Sequence, residues 1–174
     1  MKGCIHIYTG DGKGKTSAAA GLAIRFAASG RRVLFAQFLK DGSSGEILVL
    51  SKVPGITCYP CRKKFSFSFL MSNDEKEKAV SCYSAYLWKI LEKSVAEDFD
   101  MLVLDEAITA YNLCFFDNES LLKFLREKPE EMEIVLTGRD AVPDLIDLAD
   151  YVSEIKKIKH PFDEGLTARK GIEY

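Results

Sequence analysis

The residues best suited to chemistry stand together in Ile5 to Ala20, IHIYTGDGKGKTSAAA, where an apolar strand pattern runs into a turn rich in glycine and lysine and then into an alanine-rich helix. That order suits a phosphate. Gly10, Gly12 and Gly14 let backbone N–H groups point inward at an anion, because glycine has no Cβ to obstruct so tight a path. A helix opening near Lys15 adds unsatisfied N–H groups and the positive end of its dipole. Lys15 reaches the phosphates as a point charge, and the Thr16 hydroxyl is placed to ligate Mg²⁺ or Mn²⁺ beside them; Asp11, Lys13 and Ser17 complete the expected contact set. Counted back from Gly14, the pattern G-x-x-x-x-G-K-[ST] requires its first glycine at Thr9, and Gly10 arrives one residue late. The loop is one residue tight, which changes how deeply or in which direction a triphosphate threads and leaves the anion site in place. The alternative is a strand-to-helix connection with no ligand.

A second motif is MLVLDE at 101–106, an apolar strand ending in two carboxylates, the Walker B pattern. This strand is expected beside the loop-bearing strand, so that Asp105 or Glu106 holds Mg²⁺ directly or through water while the other contacts nucleotide or polarises a water. Two more strand ends carry polar groups. Gln37, Phe38 and Lys40 follow the apolar run from Val33, and Gly138-Arg139-Asp140 follows Glu133 to Thr137. Open α/β sheets bind ligands at that edge, so Gln37, Lys40 and Arg139 are candidate triphosphate contacts; a solvated strand end accounts for them equally well.

The elements that position these residues follow from periodicity. Thr16 to Ser29 is a helix closed by Gly30, with Leu22, Ile24 and Phe26 as its apolar contacts, and Val33 to Phe38 is a strand buried on both faces. Together with the first strand they form a βαβ unit and hence a parallel sheet. A short helix at 47–52 and a strand at 56–59 come next. Asn73 to Phe99 is a long helix with Val80, Tyr83, Leu87, Ile90, Leu91 and Val95 on one stripe and Trp88 beside it. Leu121 to Lys128 and Pro143 to Ala149 are helices, Glu133 to Thr137 and Tyr151 to Lys159 strands. Between them, CRKKFSFSFLMSN places Phe65, Phe67 and Phe69 at alternate positions: either an edge strand facing the core, or an aromatic loop covering a large flat ligand.

Composition narrows the class. The chain has 174 residues, 47% apolar and 29% charged, with a net charge of −2, so a soluble single domain is expected and nothing global points to nucleic acid. No apolar run is long enough to span a bilayer, and MKGCIHIY begins as a strand and not as a signal peptide, so a cytoplasmic protein is expected. The five cysteines are odd in number and scattered, which favours reduced thiols; Cys58 and Cys61 form a C-x-x-C with no second pair at zinc spacing.

Taken together, YTGDGKGKTSAAAGLAIRFAASG, VLFAQFLKDGSSGE, LVLDE, VLTGRD and DLIDLADYVSEIKKIKHPFDEGLTARKGIEY resemble the P-loop ATP:corrinoid adenosyltransferases over nearly the whole chain. The resemblance implies an α/β, P-loop NTPase-like (RecA-like) fold, a mostly parallel sheet with helices on both faces, in a single domain at 1–174. It implies transfer of the 5′-deoxyadenosyl group of ATP to a Co(I) corrinoid with release of triphosphate. Gly10 to Thr16 would then hold triphosphate, Thr16, Asp105 and Glu106 the metal ion, and Phe67 and Phe69 the corrin face. It also implies an electron-donating flavoprotein reductase and a homodimer. Phe69 stands where the family often has tryptophan, and the first strand begins so near Met1 that no N-terminal arm is expected over the site. Two other functions fit the same loop: a hydrolase or phosphoryl transferase in which Glu106 activates water or a hydroxyl, and an ATP-dependent binding module.

Overall fold

Apolar runs too continuous for one-sided burial become the middle of a sheet. The computed structural model describes residues 2–63, 65 and 70–172. Its strands are β1 (Ile5–Thr9), β2 (Val33–Gln37), β3 (Ile56–Pro60), β4 (Met101–Asp105), β5 (Glu133–Thr137) and β6 (Tyr151–Glu154). They form one six-stranded sheet in the order β3-β2-β4-β5-β1-β6, with every pairing parallel. Every residue of β2 and β4 is buried, as their unbroken apolar sequences require. The expectation that the carboxylate-bearing strand lies beside the loop-bearing strand is corrected: β5 separates them, Ile134 pairing with Ile5 on one side and Leu102 on the other. A strand's own pattern specifies which faces are buried, and its neighbours are decided by the crossovers.

Helices α1 (Lys15–Ala27) and α2 (Gly45–Leu50) cover one face, packing on Val33, Phe35, Ile56, Met101, Val103 and Val135. The opposite face, with Ile7, Leu34, Leu102, Leu104, Ile134 and Leu136, is covered by α3 (Asn73–Ala96), α4 (Ala107–Asn112), α5 (Asn118–Glu127) and α6 (Pro143–Ile146). In α1 the residues against the sheet are Ala19, Ala20, Ala23 and Ala27; Leu22 and Phe26 pack at the margin and Ile24 is exposed, contrary to expectation. Alanine lets the helix that carries the phosphate loop approach the strands closely. The buried stripe of α3 is Ala79, Tyr83, Tyr86, Leu87, Ile90 and Ser94, whereas Val80 and Val95 of the expected stripe face solvent and Trp88 is 66% exposed. Each of Tyr83, Leu87 and Ile90 contributes roughly 1.5–3 kcal/mol by burial, against about 1 kcal/mol for the Ser72 cap on the Glu75 N–H, so the stripe decides where α3 lies.

The last strand is shorter than the pattern suggested, β6 closing at Glu154 and not at Lys159. Beyond it, among the described residues, a 3₁₀ turn at Pro161–Glu164 is the one regular element. Phe65 is partly buried against the core with its ring 5.5 Å from that of Tyr83. Phe67 and Phe69 lie outside the described residues. No described helix is long and apolar enough to cross a membrane.

Asp117 caps α5, its Oδ2 accepting from the Ser120 N–H at 3.1 Å and from the Ser120 hydroxyl. Those bonds hold its carboxyl below the usual carboxylate range. A depressed carboxyl stabilises the fold above its unfolded pKa and loses that contribution as pH falls through the folded value. Asp117→Ala is therefore expected to lower Tm at neutral pH, with the two proteins' melting temperatures converging on acidification. A gap that persists in acid would assign the effect to something other than the carboxylate.

Candidate functional site

The C-terminal ends of the strands converge on one edge, where a cleft of about 450 Å³ is lined by residues 11–17 and by Lys40, Glu46, Glu106 and Arg139. The turn from β1 into α1 is held in shape by its own lysine. Lys15 Nζ donates to the carbonyls of Gly10 at 2.7 Å and Gly12 at 2.8 Å. Burial pushes its pKa below the usual lysine value, opposed by the negative charge of Glu106. Gly14, at φ +122, has open space around a would-be Cβ and is required by its backbone conformation. Gly10 and Gly12 are required by proximity: a Cβ on either would stand 2.4 or 2.7 Å from the carbonyl oxygen of Ile155.

Behind the loop, Asp105 is fully buried and satisfied on both oxygens. Its Oδ1 accepts from the Thr16 hydroxyl at 2.8 Å and the Thr137 hydroxyl at 2.7 Å. Its Oδ2 accepts from the Gln37 amide at 2.9 Å and Lys40 Nζ at 3.3 Å. Thr16 thus links α1 to β4 across the end of the intervening strand. Gln37, whose side-chain Oε1 accepts from Ser44 Oγ at 2.9 Å, is buried and orients the carboxylate from behind instead of lining the cleft. Burial alone would lower the Lys40 pKa, but Asp105, Glu46 and Glu106 together hold it above the usual lysine value.

Glu106 turns the chain from β4 into α4 in the left-handed region, φ 59. Its N–H donates to Thr137 Oγ1 at 2.9 Å, and its Oε2 accepts from Thr109 Oγ1 at 2.9 Å, leaving the side chain on the cleft wall. Arg139 also lines the cleft and is exposed; its N–H donates to the same Thr109 Oγ1 and its carbonyl accepts from the Asn112 amide. The Lys13 and Ser17 side chains face the same opening, and Asp11 turns to the C-terminal segment, accepting from the Lys157 N–H at 2.9 Å. That bond keeps its carboxyl below the usual range.

The structure therefore gathers the expected loop, Lys40, Asp105, Glu106 and Arg139 at one edge. Sequence reasoning missed Glu46, Thr137, Thr109 and Ser44. Thr137 directly precedes the Gly138-Arg139 already singled out, and Glu46 closes the KDGSSGE loop, so position at a strand end was the available signal. The C-x-x-C stands apart: burial pushes the Cys58 and Cys61 thiols up to about 11, which leaves them poor nucleophiles at neutral pH.

A parallel sheet whose first strand feeds a Gly-Lys-Thr loop, with a strand-end carboxylate bonded to the loop threonine, defines the P-loop nucleotide-binding class. The fold is similar to that of the flagellar accessory protein FlaH from Methanocaldococcus jannaschii, with a TM-score of 0.55 and 17% identity over 88% of this chain and 71% of that one. The chain belongs to the ATP:corrinoid adenosyltransferase family BtuR/CobO/CobP, whose model matches residues 1–174. It is 32% identical to the corrinoid adenosyltransferase of Escherichia coli (strain K12) and 33% identical to corrinoid adenosyltransferase CobA of Salmonella typhimurium, in both cases over 99% of this chain and 86% of the relative.

Proposed function

We propose that this protein moves the 5′-deoxyadenosyl group of ATP onto the Co(I) centre of a reduced corrinoid, in adenosylcobalamin biosynthesis or salvage. The observation that carries the reading is the family match along the whole chain. In this reaction the cobalt electron pair attacks C5′, a Co–C bond forms, and the C5′–O bond breaks so that its electrons leave with triphosphate. The substrate itself is the nucleophile, so the protein's work is aiming and charge neutralisation and needs no side-chain base. The loop from Gly10 to Ser17 receives the triphosphate, Lys15 exchanges its two carbonyl partners for phosphate oxygens, and Lys40 and Arg139 add positive charge at the cleft walls. Gln37 acts on nucleotide through Asp105.

The oxygen donors at Thr16, Asp105 and Glu106 suit a hard divalent cation, and the 2.8 Å approach of the Thr16 hydroxyl to Asp105 brings two of them together. Mg²⁺ or Mn²⁺ held there would spread the negative charge of triphosphate. Phe67 and Phe69 are assigned to the corrin face on the strength of the family resemblance. A single working domain at 1–174, a homodimer, a cytoplasmic setting and a flavoprotein reductase that supplies Co(I) complete the proposal.

The test is anaerobic incubation with Mg-ATP and chemically reduced cob(I)alamin, following the corrinoid spectrum and identifying the phosphate product. Adenosylcobalamin with triphosphate is expected. An unchanged corrinoid spectrum with ADP release would replace the transferase by a hydrolase, and bound ATP with no product would leave a binding module.

A further inference from the structure

The segment after β6 forms one wall of the cleft, with His160, Gly171 and Ile172 on its lining. None of its described residues from 155 to 172 is buried, and Ile158 and Phe162 are 92% and 71% exposed. Apolar burial therefore does not fix its position, and hydrogen bonds to the phosphate loop carry that task. Ile155 N–H donates to Thr9 O at 2.8 Å, Gly12 N–H to Ile155 O at 2.7 Å, and Lys157 N–H to Asp11 Oδ1 at 2.9 Å. The first two extend the pairing of β6 with β1; the third depends on a side chain. Beyond it the segment folds on itself, through Lys157–Asp163 at 3.0 Å, Lys159–Glu164 at 3.2 Å and the Leu166 N–H to Pro161 O bond.

A carboxylate within a loop built for polyphosphate is out of place as a ligand contact, since like charges repel across the short distances involved. Its bond on the other side gives it a use. We propose that Asp11 is a positioning residue, which by accepting the Lys157 N–H holds the C-terminal segment as a wall of the nucleotide cleft and so sets ATP affinity through that wall. The proposal rests on the cleft being the ATP site.

Two measurements on the full chain test it, neither needing a corrinoid. In limited trypsin digestion without nucleotide, Asp11→Ala is expected to speed cleavage at Lys156, Lys157 and Lys159 several-fold. Asp11→Asn, whose amide oxygen accepts the same bond, is expected to keep the wild-type rate. In equilibrium dialysis with labelled ATP, Asp11→Ala is expected to raise Kd about tenfold, the scale of one charge-assisted hydrogen bond, and Asp11→Asn to recover most of the loss. Wild-type digestion of Asp11→Ala, equal susceptibility of both variants, or faster digestion with unchanged Kd would each overturn the proposal. Failure of adenosyl transfer by the wild type would count against the proposed activity alone, because digestion and ATP binding still decide the role of Asp11.

Discussion

Lys15→Ala is expected to lower adenosyl transfer at saturating corrinoid by about 10²–10³-fold, the scale on which removing one preorganised charge-stabilising donor acts. Two losses combine in this variant. The ammonium that would meet the leaving triphosphate disappears, and so do the bonds to Gly10 O and Gly12 O that tie the loop to its first helical residue. Lys15→Arg is no substitute, because a planar fork does not fit a space shaped for a compact point charge. The same residue gives a pH signature. Burial has already lowered its pKa, so the free protein holds the cationic form only up to a lower pH than an ordinary lysine allows. ATP binding requires the cation; affinity should be fully present below that pKa and fall as pH rises through it. A Kd flat across the alkaline range, or Lys15→Ala with more than about a tenth of wild-type turnover, would remove Lys15 from its assigned place.

The second large effect is on the fold as well as on activity. Asp105→Ala leaves the Thr16 and Thr137 hydroxyls, the Gln37 amide and the Lys40 ammonium without their common acceptor. Leaving a buried donor unpaired costs roughly 1–3 kcal/mol, and with the buried Thr137 and Gln37 both affected the loss is about 2–6 kcal/mol, which for a chain of this size corresponds to a Tm lower by about 4–24 °C. Asp105→Asn is expected to be intermediate and still impaired, since an amide nitrogen at the Oδ2 position would point donor at donor toward Gln37 and Lys40. Adenosyl transfer should be lost in both, even at temperatures where the variant is folded. A Tm within about 2 °C of wild type for Asp105→Ala would show that the four donors find other partners.

How far the sequence goes differs by element. The loop from Gly10 to Thr16 and the strand ending at Asp105 and Glu106 were legible because each signal is local: an unbroken apolar run, then residue types only a turn or a charge site would use. That β5 stands between β1 and β4 was not legible, because strand order depends on which way each crossover returns. The stripe of α3 was misplaced for a chemical reason. Counting apolar residues selects Val80 and Val95, whereas the sheet receives Tyr86, whose hydroxyl accepts from the Gln37 N–H at 3.1 Å and bonds the Tyr59 carbonyl, and Ser94, which closes on Leu91 O. A side chain that is polar only at its tip can be core. The use of Gly10 and Gly12 to admit Ile155 likewise joins residues far apart in the chain, which no local pattern records.

The place of β1 in the sheet governs when the site can assemble. Both of its neighbours are made late: Ile5 pairs with Ile134, and His6 with Tyr151. During synthesis β2, β3 and β4 can find one another while β1 waits, because contacts between distant stretches must first overcome the entropy of closing a long loop. The phosphate loop, though near the start of the chain, is therefore one of the last parts to acquire its shape. A ribosome-bound chain stopped before residue 133 should contain the β2-β3-β4 pairing and yet fail to retain ATP.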